Sequence, residues 1–143
     1  MRRLASITLV LVVTAAVVAL GAFAARPSAL DCGSISVGPT ALRAGTSSGA
    51  ACVLRAYRQH CRSAVYELSI FGVDTIARDE FRLVMLDGAC RVKVTASFTV
   101  VPQRPRPQGS GECRWVAMRG SDVIAGGCTG SGLPSTISLT GKR

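Results

Sequence analysis

All six cysteines of this 143-residue chain, Cys32, Cys52, Cys61, Cys90, Cys113 and Cys128, follow a long apolar segment at its N-terminus. An even count in a short chain that carries an export signal reads as a disulfide framework. Any acceptable fold must therefore bring these sulfurs together in pairs. Zinc binding is the competing use of so many thiols, and the spacing argues against it. The chain has no C-x-x-C pair, and its one histidine, His60, adjoins Cys61 with no acidic ligand within a turn. Neither a metal nor a cofactor is expected.

The apolar segment has the three parts of a secretory signal. Met1-Arg2-Arg3 is the positive end, Leu4 to Leu20 is apolar apart from Ser6 and Thr14, and Ala22-Phe23-Ala24 fits the small-x-small cleavage rule. Residues 1–24 are expected to be removed, leaving 25–143 as a single extracytoplasmic domain. A retained anchor is the alternative, because residues 4–25 carry no charge and at about 1.5 Å each would cross a hydrocarbon layer of about 30 Å. Lipidation at Cys32 is excluded by Asp31, which stands where a lipobox needs a small residue. Both surviving readings place the cysteines outside the cytoplasm, secreted or held at the membrane by residues 4–25.

Apolar residues make up 48% of the chain and charged ones 17%, enough to bury a core and too few charges for a disordered tail. The net charge is +9; the expected signal holds two of the 17 basic residues and none of the eight acidic ones. The remaining chain is moderately basic and would attract anionic polymers or lipids without specificity.

Local patterning gives an α+β order. A short apolar stretch at Ile35–Val37 precedes a Gly, Pro, Thr and Ser-rich loop at 38–49. Ser47 or Ser48 caps an expected helix over Ala50–Cys61, with Ala50, Leu54, Tyr57 and Cys61 on one face and Arg55, Arg58, Gln59 and Arg62 elsewhere. Strict alternation then marks strands through Tyr66–Ile70, Phe81–Met85 and Cys90–Val100, the last two joined by Asp87-Gly88, a type I′ hairpin signal. Three prolines between Pro102 and Pro107 read as an extended basic loop over 102–111. A second hairpin spans Glu112–Met118 and Asp122–Cys128 around Gly120-Ser121. It is followed by a Gly-rich turn at Thr129–Pro134 and a short edge strand at Ile137–Leu139. The expected architecture is one amphipathic helix on a curved antiparallel sheet of four to six strands, stabilised by disulfides.

The turn geometry also predicts bridges. A two-residue Gly120-Ser121 turn puts Arg119 opposite Asp122 and, counting outward, Cys113 opposite Cys128, within reach of a disulfide. Cys52 and Cys61 on one helix would be about 13 Å apart, too far to join. Placing Cys61 and Cys90 at the same end of the helix-on-sheet unit gives Cys61–Cys90 and leaves Cys32–Cys52. Cys32–Cys61 with Cys52–Cys90 is the alternative.

Catalytic patterns are weak. Gly45-Thr46-Ser47-Ser48-Gly49 matches G-x-S-x-G, but no convincing strand leads into it. The general layout looks like that of the microbial ribonucleases, with Glu67, Glu80, Arg82 and Arg91 as available acids and cations. His60, however, precedes the sheet, so only one of the two groups needed for general acid–base work is identifiable. Asp79 and Glu80 would point to opposite faces of a strand, and Asp74 and Asp79 read as residues flanking a turn. Trp115 beside Arg114 is one stacking pair where single-strand nucleic-acid platforms use several, so specific nucleic-acid binding is not expected. The expectation is a non-enzymatic, exported binding or cell-envelope module. Its partner would be an extracellular protein or an anionic envelope polymer, touched through Arg104, Arg106, Arg114 or Trp115. A secreted inhibitor presenting loop 102–111 is the first alternative, and a small hydrolase the second.

Overall fold

The computed structural model describes residues 28–38 and 48–141. The expected signal segment, Ser47 and most of the G-x-S-x-G match lie outside them. The described chain is a sheet-rich α+β fold with one helix, two sheets and three disulfides.

Strand β1 (Leu30–Val37) enters the main sheet at its edge, and helix α1 (Ser48–Arg58) separates it from β2 (Ala64–Phe71). Because the chain crosses back through the helix, β1 runs parallel to β2, with Ile35 opposite Leu68 and Val37 opposite Ile70. The expected all-antiparallel sheet is corrected here: parallel pairing depends on a connection between distant segments, which alternation within one segment does not reveal. Strand β1 is also longer than Ile35–Val37, and Gly33, at φ 79°, lies where its register shifts.

Strands β2, β3 (Thr75–Leu86), β4 (Ala89–Val100) and β5 (Arg106–Cys113) form an antiparallel meander, and β8 (Thr129–Ser131) completes the order β1-β2-β3-β4-β5-β8. Asp87 and Gly88 both have positive φ, 49° and 74°, as the tight β3–β4 turn requires. The loop expected over 102–111 is shorter: strand β5 starts at Arg106. Its proline is tolerated because Pro107 pairs with Ser97 at a bulge, where a missing amide breaks no regular ladder. The Gly-rich turn expected at 129–134 likewise contains β8.

Strands β6 (Trp115–Arg119), β7 (Asp122–Gly126) and β9 (Thr136–Ser138) make a second sheet in the order β6-β7-β9. The second hairpin keeps one register from Arg119 opposite Asp122 to Ser110 opposite Ser131. It nevertheless changes sheets midway, at Cys113–Arg114 and Gly127–Cys128. The Cys113–Cys128 bridge spans this corner, where the two Cα atoms are 3.9 Å apart. The other pairs are Cys61–Cys90 and Cys32–Cys52, and no cysteine is free.

The core lies between the main sheet and a second layer made of α1 and the small sheet. Alternation places Tyr66 and Leu68 of β2, Phe81 and Leu83 of β3, and Val92 and Val94 of β4 on the inner face, all nearly inaccessible. Val53, Leu54 and Ala56 of the helix and Val123 and Ala125 of β7 meet them. The helix ends at Arg58 rather than Cys61, because His60 and Cys61 take left-handed φ values of 54° and 58°. Tyr66 stacks on Phe81 with ring centroids 5.9 Å apart, and its hydroxyl donates to the Leu139 carbonyl at 2.9 Å. That bond closes the C-terminal segment over the core. Asp122 secures the same segment by accepting hydrogen bonds from Ser138 and Thr140.

Candidate functional site

Among the described residues, the second layer covers only part of the inner face. Beyond Leu68 and Phe81, the next inward positions are Ile70 on β2, Asp79 and Ala77 on β3, and Ala96 and Phe98 on β4. A cleft of about 380 Å³ opens there, with Ile70, Asp79 and Ala96 on the sheet side. Its volume lies within the range of small-ligand sites. The opposite wall comes from Leu133 and Pro134 in the β8–β9 connector and from Ile137 and Ser138 of β9. The Cys128 amide, donating to the Ser135 carbonyl at 3.1 Å, ties this connector back to the bridged corner.

A backbone irregularity supplies one polar group. Counting back from buried Cys113, strict alternation would put Gln108 on the outer face of β5. The bulge leaves Gln108 unpaired between Gly109, opposite Ala96, and Pro107, opposite Ser97. Gln108 thereby lines the cleft. Four glycines permit the neighbouring close packing. A Cβ on Gly109, Gly111, Gly130 or Gly132 would enter the backbone of the facing segment.

Asp79 corrects an expectation. It sits in the middle of β3, opposite Leu68 and Ala96, rather than beside a turn, and the β2–β3 turn falls at Gly72–Asp74. A signal was present in the sequence: Asp79 continues the inward phase of Phe81 and Leu83, so its carboxyl belongs to the covered face. Among the described residues lining the cleft, Asp79 is the one titratable side chain.

The other candidate residues are dispersed. Arg104 and Arg106 are exposed at one end of β5, and Arg114 follows its other end, about 26 Å away at the rise of a strand. Trp115 is 38% exposed and lies across Gly126, where a Cβ would meet the indole. Glu67 and Glu80 face each other on the outer side of the sheet, with Arg82 3.0 Å from Glu80. Arg91 donates to the Cys90 carbonyl, and His60 lies exposed beyond the helix. These groups do not converge on the cleft. Among the described residues, no cluster of three metal-ligating side chains occurs and no helix is long and apolar enough to cross a membrane.

Three disulfides in so small a fold are typical of domains that work in an oxidising, extracellular setting. Compared with protein-family models, curated proteins and solved structures, the chain matches none.

Proposed function

We propose that this protein is an exported, non-enzymatic binding domain whose ligand enters the cleft at the end of the main sheet that the described second layer leaves open. The observation that carries the reading is the cleft itself. It combines apolar side chains, from Ile70, Leu133 and Ile137, with polar surface that makes up at least half of the lining, to which Asp79, Gln108 and Thr136 contribute. That mixture suits a small, amphipathic ligand that makes both hydrogen bonds and apolar contacts. General acid–base catalysis uses two positioned groups, whereas the described lining offers one carboxylate. The inhibitor alternative is less well supported, because a presented loop gains affinity from rigidity. The loop at 101–105 lies at the end of β5 remote from the Cys113–Cys128 bridge.

Ala96→Leu tests the reading. Ala96 lies in the sheet side of the cleft, so a larger side chain fills ligand space. Saturation-transfer spectra with a library of small organic fragments are expected to show binders for the wild type and at least tenfold weaker binding for the variant, both measured well below a thermal midpoint that the added volume at this buried position lowers. Fragments that bind both proteins equally would remove the cleft from the account. Chemical conversion of a bound fragment would replace the binding reading with an enzymatic one.

A further inference from the structure

We infer that the end of the main sheet beyond the cleft is a docking tip for an anionic lipid surface. Two loops meet there. The β2–β3 turn and the loop after β4 are joined by the Val101 amide, which donates to the Asp74 carbonyl at 2.9 Å. Val73 is 94% exposed, Val101 54%, and Val100 and Phe98 on the adjoining strand end 38% and 36%. A single exposed valine needs no explanation, but four large apolar side chains on two linked segments form a patch.

The charge around the patch selects its partner. Arg104 follows Val101 in the loop and Arg106 lies directly opposite Phe98 on β5, both exposed. Asp74 is the acidic residue within the two loops. Apolar side chains at a tip with arginines on its flank match a bilayer interface, where the apolar groups enter the acyl boundary and the guanidinium groups meet lipid phosphates. Hot spots of protein interfaces are enriched in Trp, Tyr and Arg and poor in Val, whereas three of the four apolar side chains at the tip are valines and its arginines flank them rather than centre the patch. The tip adjoins the cleft, with Phe98 following Ala96 on the inner face, but shares none of its lining residues, so either assignment can fail alone.

Sedimentation with vesicles tests the assignment. The oxidised protein is expected to bind phosphatidylcholine vesicles that contain phosphatidylglycerol and to release them at high salt. It should bind pure phosphatidylcholine far more weakly. Arg104→Ser with Arg106→Ser should weaken anionic binding on the order of fivefold for each arginine, and Val73→Asp should weaken it further. A Val73→Trp reporter in a Trp115→Phe background should shift its emission to the blue on anionic vesicles. Insertion through residues 4–25 would give equal binding to both lipids and leave that emission unchanged. This outcome would overturn the proposal, as would no binding or binding indifferent to these substitutions. A soluble protein that needs the same residues while vesicles remain unbound would overturn it too.

Discussion

Replacing Cys61 and Cys90 together with alanine is expected to lower stability by about 3–5 kcal/mol, the upper part of the usual range for a native bridge. This disulfide has the longest sequence separation of the three, 29 residues, and loop-closure entropy grows with length, although slowly. Its position adds to the effect. Helix α1 has 11 residues, too few for stability in isolation, and Cys61 follows its last turn in a left-handed conformation. The bridge holds that end to β4 beside the β3–β4 turn. Without it the helix end can fray and expose Val53 and Ala56, which are now 1% accessible. Urea unfolding of the double variant measures the loss. A change below about 1 kcal/mol would show that packing alone fixes the helix.

Gly111→Ala is expected to destabilise by about 3 kcal/mol, at the high end for overpacking. Its Cβ would enter the Thr129 carbonyl, would lie 2.8 Å from the Gly130 Cα, and would reach Leu133 at the cleft wall. Two of these neighbours are backbone, and the Cys113–Cys128 bridge two residues away prevents the facing strand from retreating. Ser110→Ala is the matched control: Ser110 is exposed on the same strand, and ordinary surface changes fall within about 0.5 kcal/mol. Equal unfolding midpoints for these two variants would contradict the close β5–β8 packing.

The meander was legible because its strands alternate cleanly. Tyr66, Leu68 and Ile70, then Phe81 and Leu83, then Val92 and Val94 carry one period-two pattern into one core. Asp87-Gly88 supplied the turn between β3 and β4. The hairpin register through Gly120-Ser121 was legible for a similar reason, since a two-residue turn with glycine at its positive-φ first position fixes every pair outward from it. It did not reveal that the hairpin bends between two sheets at its cysteines. That change depends on which distant strand each half meets.

The candidate site was harder to read. Prolines at 102, 105 and 107 suggested a loop longer than the structure forms, because a bulge absorbs Pro107 and turns Gln108 toward the cleft. Asp79 looked like a turn residue when judged by type. Its phase with Phe81 and Leu83 held the better information. The cleft wall at Leu133–Ser138 arises from the way β8 and β9 return to different sheets, a long-range arrangement with no local period.

Amide-shift mapping of the isotopically labelled, fully oxidised protein tests the central claim most directly, that ligands enter the uncovered end of the inner face. Titration with the small-fragment library is predicted to give its largest shifts at Ile70, Ala96, Gln108, Leu133 and Ile137, with α1 and β7 little affected. Largest shifts around Trp115 or along α1, or no saturable shifts at the cleft, would contradict it.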